Sequence, residues 1–318
     1  MIQHPTFKDI KNAAERIKSF AHRTPVLTCQ QINRMVNADI YFKCENFQKV
    51  GAFKFRGASN AVFSLSDDEA KLGVVTHSSG NFAAAISLAA KIRGIPAYII
   101  MPNTAPQVKK IAVAGYGGKI IYCEPNLKAR ETTAEKVINE TGATLIHSYN
   151  DFNVICGQGT ACLELLEDIQ NLDMILTPIG GGGLISGTAI AASNLSPGTK
   201  ILAGEPSGAD DAYRSLKEGK IIPSVNPDTI ADGLLTSLGT LTFSIIKKHI
   251  YKIITVDDTE TIKAMRTIWE RMKIIIEPSS AVPVAVLLEK KIDVEGKKIG
   301  VILSGGNVDL DKLPWMSI

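Results

Sequence analysis

Residues 174–184 read MILTPIGGGGL, and this stretch decides the fold class. Its first six residues are almost wholly apolar, which is typical of a strand in a parallel sheet with helices on both faces. Four consecutive glycines, Gly180 to Gly183, then remove every Cβ from the turn into a helix predicted over Leu184–Ser193. Backbone N–H groups at such a turn can converge on one anion at the positive end of the helix. The stretch therefore predicts a phosphate site between a buried strand and a helix.

The glycine run matches neither of the two common nucleotide-binding patterns. Gly182 and Gly187 have the interval of a Walker loop, but Thr188 stands where that loop requires lysine. A GxGxxG fingerprint would need its last glycine at Ile185 or Ser186. We therefore expect a cofactor phosphate here rather than a nucleoside triphosphate.

Short apolar runs alternate with alanine-rich helical segments along the rest of the chain. Strands are predicted at Ile40–Lys43, Gly73–Thr76, Ala97–Met101, Lys119–Cys123, Thr144–His147, Met174–Ile179, Lys200–Gly204, Ile253–Val256 and Lys298–Leu303. Further helices are predicted at Phe82–Arg93, Arg130–Glu140 and Gly159–Leu166. This alternation predicts an α/β architecture with right-handed crossovers. Because no repeat or long linker is visible, we expect two domains that exchange chain segments.

Capping residues mark the limits of individual helices. Asn81 is predicted to cap the helix Phe82–Arg93, and Gly94 is predicted to end it in a left-handed conformation. The first helix is predicted to end before Thr24-Pro25, since a proline disfavours helical backbone at the residue before it.

Composition excludes several classes of protein. The chain has 318 residues, 45% of them hydrophobic, and a formal net charge of +3, so a disordered chain is not expected. Scattered Lys and Arg residues argue against a nucleic-acid binder, and no apolar run reaches the roughly 18 residues of a membrane helix. The first twenty residues do not have the pattern of a secretory signal. Five cysteines without a CxxC pair favour reduced thiols and a cytoplasmic location.

Four further motifs carry polar groups. THSSGN at 76–81 offers donors to a small anion such as a carboxylate, although helix capping alone would also explain it. GAFKFRG at 51–57 sets Lys54 between aromatic residues; this predicts either a desolvated nucleophilic amine or a surface lysine between core phenylalanines. The acidic loop EPSGADD at 205–211 suits a hard cation or is simply solvated. SGGN at 304–307 ends a buried strand, where α/β proteins bind ligands.

These motifs, in this order, resemble those of a known family. KCENFQKVGAFKFRG at 43–57, THSSGN, GGGG and SGGN are similar to the fold-type II (tryptophan synthase β-like) pyridoxal-phosphate enzymes, and most similar to serine racemases and serine/threonine dehydratases. The resemblance covers nearly the whole chain. It implies two doubly wound, mainly parallel α/β domains. Residues 1–63 and 146–318 would form a large cofactor-binding domain, and residues 64–145 a small substrate-binding domain.

The resemblance implies a role for each residue of the cofactor site. Lys54 would form the Schiff base with pyridoxal phosphate and move a proton on one face of the substrate α-carbon. Phe53 would pack beside the cofactor ring, Asn81 would hydrogen-bond its 3′-oxygen, and Ser304 would meet the pyridine nitrogen. The full cofactor set is Phe53, Lys54, Asn81, Gly180, Gly181, Gly182, Gly183, Leu184, Glu277 and Ser304.

The substrate and metal sites are implied in the same way. Ser79 would be the second acid/base, opposite Lys54. The amino-acid substrate would be held by Ser78, Ser79, Gly80, Asn81, Arg130 and Thr236. Mg²⁺, or else Ca²⁺ or Mn²⁺, would be bound by Glu205, the carbonyl of Ala209 and Asp211.

The family also implies a homodimer and, in animal racemases, a nucleotide site. Tyr116 and Lys273 match that site, but Ala84 replaces a glutamine that contributes to it, which argues against activation by ATP. Phe82 stands where the family usually has histidine and removes a polar group beside the substrate pocket.

The activity implied is that of a serine racemase that also eliminates water from serine, giving pyruvate and ammonia. The alternative is a threonine or 3-hydroxyaspartate dehydratase with little racemisation, because all of these reactions begin by removing the same α-proton. A binding protein that keeps an inactive cofactor cradle is disfavoured, since Lys54, Ser79 and Ser304 are all present.

Overall fold

The computed structural model describes residues 3–316. Its strands are β1 (Val26–Leu27), β2 (Asp39–Cys44), β3 (Val74–His77), β4 (Ala97–Pro102), β5 (Lys119–Cys123), β6 (Thr144–Leu145), β7 (Met174–Pro178), β8 (Lys200–Pro206), β9 (Lys252–Val256) and β10 (Lys298–Leu303). Its α-helices are α1 (Phe7–Ile17), α2 (Gln30–Val36), α3 (Lys54–Ser64), α4 (Asp67–Leu72), α5 (Asn81–Arg93), α6 (Gln107–Gly115), α7 (Leu127–Thr141), α8 (Phe152–Asp168), α9 (Gly183–Leu195), α10 (Asp211–Glu218), α11 (Thr240–His249), α12 (Asp258–Met272) and α13 (Pro278–Leu288).

The strands form two sheets, one of six strands in the order β1-β2-β10-β7-β8-β9 and one of four in the order β5-β4-β3-β6. Neighbouring strands run parallel except for β1, which pairs antiparallel with β2. The predicted α/β class is confirmed, and all nine predicted strands are present. The sequence does not reveal β1, because two residues at a sheet edge are too few to show a periodic pattern.

Helices cover both faces of the six-stranded sheet, as the apolar sequence of its central strands predicts. Alternate residues of β7 point to opposite faces. Leu176 packs on one side with α2, α12 and α13, whereas Ile175 packs on the other with α8, α9 and α11. Full burial of one such side chain contributes about 1.5–3 kcal/mol to stability. This core fixes the strand ends that carry the glycine and SGGN motifs.

The strands of the four-stranded sheet all lie between residues 74 and 145, and α5, α6 and α7 pack on them. Strand β6 ends at Leu145, two residues before the predicted end at His147. His147 and the residues after it therefore lie outside the sheet, at the crossing back to the six-stranded one.

Helix α3 packs against α5, which covers the four-stranded sheet, and against α8, which covers the six-stranded sheet. Phe55 packs in one cluster with Phe82 of α5 and Val154 of α8. A Cβ on Gly157 of α8 would lie only 2.5 Å from the carbonyl oxygen of Arg56, so glycine is needed for this close approach. Because α3 begins at Lys54, this packing fixes the backbone of that lysine.

All five cysteines are free thiols, and four of them are buried. Among the helices of residues 3–316, none combines the length and the hydropathy needed to cross a membrane.

Candidate active site

The GAFKFRG and SGGN motifs lie side by side. The Phe53 N–H donates to the Ser304 carbonyl over 2.9 Å, and Ala52 forms an isolated antiparallel bridge with Gly305. The Gly306 N–H donates to the Gly51 carbonyl, also over 2.9 Å. These backbone contacts place the start of α3 at the carboxyl end of β10.

Lys54 has no salt-bridge partner in the described part of the chain. Its Nζ donates to the Ser148 carbonyl over 3.2 Å and lies 4.9 Å from the centre of the Phe53 ring and 5.8 Å from that of Phe82. Burial lowers the pKa of Lys54 to about 8, although the charge of Glu277 acts in the opposite direction. An amine with this pKa is neutral often enough to attack a carbonyl carbon.

The four glycines form a turn that side chains could not occupy. A Cβ on Gly181 would overlap the Tyr149 ring, and Gly182 has the left-handed φ of +88° that favours glycine. Thr242 donates to the Gly181 carbonyl over 2.8 Å. The hydroxyl of Ser186, on the first turn of α9, is buried with no hydrogen-bond partner among residues 3–316. The turn and the helix end thus fit the phosphate predicted from the sequence.

The prediction that Asn81 caps α5 is wrong. Gly80, not Asn81, holds the cap position of α5, and Asn81 is the first helical residue. Its side-chain amide donates to both carboxylate oxygens of Glu277 over 3.0 and 3.1 Å and accepts from the Asn307 amide over 3.0 Å. Gly94 ends the helix with a left-handed φ of +75°, as predicted.

Glu277 is buried at the point where these contacts meet. Its pKa is raised to about 7 by burial, which the hydrogen bond from Asn81 opposes. Ser304 is also buried, and its hydroxyl lies 3.1 Å from that of Ser280. Ser280 is held in turn by the backbone of Gly305. Ser304 therefore presents a neutral hydroxyl at the end of β10.

The predicted substrate residues lie on separate elements. Ser78, Ser79 and Gly80 form the half-buried connection from β3 to α5. Arg130 lies in the first turn of α7, and its Nε is buried without a hydrogen-bond partner among the described residues. Thr236 lies beside the Tyr149 side chain.

The acidic loop brings two buried carboxylates together. Glu205 accepts the N–H groups of Ala212 and Tyr213 at 2.8 Å each, and one oxygen of Asp211 is buried without a partner in the described chain. Burial raises the pKa of Glu205 to about 8 and that of Asp211 to about 6. A bound cation would offset the free-energy cost of burying two negative charges, so these residues fit a cation site. Over residues 3–316, however, no cluster unites three or more His, Cys, Asp or Glu side chains at one point.

Sequence reasoning missed the turn from His147 to Asn150, which contacts both Lys54 and the glycine loop. Its only signal was its place directly after a strand of a parallel sheet, where ligand sites occur. Glu277 was implied by the family resemblance alone and lies in no sequence motif, because its partners Asn81 and Asn307 are distant in the chain.

The fold thus brings a partly buried amine with a lowered pKa and a glycine turn that fits a phosphate to the same turn at residues 147–150. A model of the family of pyridoxal-phosphate dependent enzymes matches residues 17–305, and the chain belongs to this family. Pyridoxal phosphate is therefore its cofactor.

Individual relatives cover the full chain. It is 53% identical to the β-hydroxyaspartate dehydratase of Paracoccus denitrificans, over 98% of this chain and 99% of that protein. It is 51% identical to a serine racemase of Dictyostelium discoideum, over 97% and 96%. The solved structure of maize serine racemase matches with a TM-score of 0.96 and 48% identity, over 99% of this chain and 97% of that one.

Proposed function

We propose that this chain racemises serine and also eliminates water from it, giving pyruvate and ammonia. The observation that carries the proposal is Lys54, an amine without a charged partner in the described chain, set between two aromatic rings. Similarity to serine racemases at 48–51% identity over nearly the whole chain supports serine as the substrate.

Pyridoxal phosphate, when bound, withdraws electrons from the substrate α-carbon and so acidifies its proton. We assign its contacts to the glycine loop with Leu184 at the phosphate, Phe53 at the ring, Asn81 at the 3′-oxygen and Ser304 at the pyridine nitrogen. Ser304 is uncharged and leaves that nitrogen unprotonated. Glu277 holds the Asn81 amide in place.

Lys54 and Ser79 are the two proton-transfer groups of this proposal. The Lys54 Nζ takes the α-proton from one face of L-serine, since burial favours its neutral form. Ser79 lies on the connection to α5, three residues before the Phe82 ring that faces Lys54. Its hydroxyl returns a proton from the other face to give D-serine. In the competing elimination the β-hydroxyl leaves as water, with a proton that balances the α-proton taken by Lys54, and hydrolysis of the resulting enamine gives pyruvate and ammonia.

A second candidate is a 3-hydroxyaspartate dehydratase, and Arg130 is the observation that favours it. A buried guanidinium nitrogen without a partner in residues 3–316 is costly unless an anion meets it. Serine offers one carboxylate, whereas 3-hydroxyaspartate offers two. The 53% identity to a β-hydroxyaspartate dehydratase supports the same candidate.

A substrate panel separates the two functions. The holoenzyme is incubated with L-serine, L-threonine and 3-hydroxyaspartate in turn, and chiral chromatography of the remaining amino acid is combined with detection of the keto acid. We expect D-serine and pyruvate from L-serine. Keto acid from 3-hydroxyaspartate with no D-serine at any time would replace the first candidate by the second.

The remaining assignments extend the same proposal. We assign Mg²⁺, or Ca²⁺ or Mn²⁺, to Glu205, the Ala209 carbonyl and Asp211. We also propose that the boundaries of the cofactor and substrate domains fall near residues 63 and 145, that two chains form a homodimer, and that the enzyme is cytoplasmic. Ala84 argues against activation by ATP.

A further inference from the structure

One turn outside all the predicted motifs connects the reactive lysine with the glycine loop. It comprises His147, Ser148, Tyr149 and Asn150, between β6 and α8. The Ser148 carbonyl accepts the hydrogen bond from Lys54 Nζ over 3.2 Å. Tyr149 and Asn150 of the same turn contact the glycine loop and the start of α11, respectively.

Tyr149 and Asn150 support the glycine loop from two sides. The Tyr149 ring lies so close to Gly181 that a Cβ there would overlap it. The Asn150 Oδ1 accepts the Leu241 N–H over 2.9 Å at the start of α11, and Thr242 of the same helix donates to the Gly181 carbonyl. The position of the loop therefore depends on the conformation of the turn.

The imidazole of His147 closes the turn. Its Nδ1 accepts the Asn150 N–H over 3.0 Å and the Tyr149 N–H over 3.4 Å, which requires a neutral ring with its proton on Nε2. This is the arrangement of an Asx turn, in which a side-chain acceptor bonds N–H groups two and three residues further on. Burial, with the nearby charges of His77 and Lys54, lowers the pKa of His147 to about 4, so the acceptor persists at neutral pH.

We propose that His147 is a positioning residue, whose Nδ1 holds the turn that presents the Ser148 carbonyl to Lys54 and seats the Tyr149 ring against the glycine loop. The inference rests on the proposed function only in that Lys54 and the glycine loop form the cofactor site. The competing explanation is packing alone. The ring stands edge to face with those of His77 and Tyr149, with centres 5.5 and 4.5 Å away.

Two variants separate the acceptor from the ring. His147→Asn keeps an acceptor at the δ position, because Oδ1 lies where Nδ1 did, but it loses the ring. His147→Phe keeps a ring of similar size and loses the acceptor. Both are prepared as holoenzyme. Hydrogen exchange of the Tyr149 and Asn150 amides and the rate of pyridoxal phosphate release are measured beside kcat and KM.

We expect His147→Asn to keep the rates of amide exchange and of pyridoxal phosphate release within about threefold of those of the unaltered protein. His147→Phe should accelerate amide exchange and cofactor release about tenfold, as expected for two partly buried N–H groups that lose their acceptor. Its kcat should fall more than its KM changes, because Lys54 is misplaced rather than the substrate residues.

The opposite ranking, with His147→Phe unchanged and His147→Asn impaired, would assign His147 to packing. Equal behaviour of the two variants would also overturn the proposal. If His147→Phe does not fold, His147→Gln takes its place, because its acceptor lies one bond further out. Amide exchange does not depend on turnover, so the absence of racemisation in the unaltered enzyme would count against the proposed function without affecting this test.

Discussion

Lys54 and Arg56 are two residues apart on α3, yet their charges have opposite surroundings. Arg56 is completely buried and pairs with Glu45 and Glu164 at 2.7 Å each. Lys43, also completely buried, pairs with the same Glu164 at 2.6 Å. Among residues 3–316, the one hydrogen bond of the Lys54 Nζ goes to a backbone carbonyl, that of Ser148. Arg56 and Lys43 are thus compensated by ion pairs, whereas Lys54, the proposed reactive amine, has no ion pair among residues 3–316.

The same contrast divides the buried carboxylates. Burial alone would raise the pKa of Glu164, but Arg56 and Lys43 lower it below its usual value. Glu205 and Asp211 form no salt bridge in the described chain, and burial raises their pKa values to about 8 and about 6, although the nearby charge of Arg214 opposes this at Asp211. A buried charge without compensation thus marks both the lysine and the acidic loop as places where a further group is needed.

The largest expected effect on activity comes from replacing Lys54, whose amine has no ion-pair partner among residues 3–316. Lys54→Ala should lower turnover at least about a thousandfold, because the cofactor anchor and a proton-transfer group are lost together. Lys54→Arg, which keeps the charge but cannot attack a carbonyl, should be equally inactive. Borohydride reduction of the unaltered enzyme should fix the cofactor to Lys54, as peptide mapping can show. Attachment at a different lysine would contradict the assignment.

Replacing Arg56, whose charge is compensated by ion pairs, should lower stability rather than activity. Arg56→Leu leaves the buried Glu45 without an ion-pair partner in the described chain and Glu164 with Lys43 alone, and the free energy of unfolding should fall by about 3–5 kcal/mol. Arg23→Leu is the matched control, because Arg23 pairs with Glu167 and Asp168 but is 52% exposed. Its loss should cost less than about 1 kcal/mol. Urea unfolding measures both, and equal losses would remove the distinction between the two kinds of pair.

Ser79 differs from both Lys54 and Arg56, because it is a proposed reactive group that carries no charge. Ser79→Ala should lower racemisation and D-serine elimination at least about a hundredfold, since one face of the α-carbon loses its proton donor. Dehydration of L-serine should survive within about tenfold. Ser78→Ala is the control, because it removes a proposed substrate contact but no proton donor; it should raise KM and leave the ratio of racemisation to dehydration unchanged. Substantial D-serine formation in the Ser79 variant would contradict the scheme of two bases.

The smallest effect is expected at the acidic loop, where a bound cation would neutralise the carboxylates of Glu205 and Asp211. Without a cation, Asp211 and Glu205 lose their protons in the folded protein as pH rises through about 6 to about 8. The free energy of unfolding falls from the ordinary carboxyl pKa of about 4, where the unfolded chain ionises, up to the end of that range. Mg²⁺ replaces those protons, and its stabilising effect should grow across the same range. The melting temperature should rise by roughly 2–4 °C per kcal/mol of binding energy near pH 8.5, and less near pH 5.5.

Asp211→Asn is the control for the cation and should abolish the Mg²⁺-dependent rise. A rise of equal size at both pH values, or one that persists in the variant, would assign the cation to another place. Chelation without any effect on melting would leave the acidic loop as a turn without a metal.

The sequence predicts most of the fold and the cofactor motifs, because apolar strands and glycine turns are local patterns. It does not predict features that depend on distant partners. Asn81 has the pattern of a helix cap, yet its side chain bonds Glu277, 196 residues away. Likewise, Arg56 meets Glu164 across 108 residues. The turn at His147 stayed hidden because histidine is an unusual residue for an Asx-type acceptor.

Racemisation of L-serine by the holoenzyme in D₂O tests the two-base scheme most directly. Two groups that exchange protons with solvent, Lys54 on one face and Ser79 on the other, should produce D-serine that carries deuterium at the α-carbon in every molecule, even at the earliest times. The L-serine that remains should be largely unlabelled at first. D-serine that retains the original α-proton would show that a single base serves both faces and would contradict the assignment of Ser79.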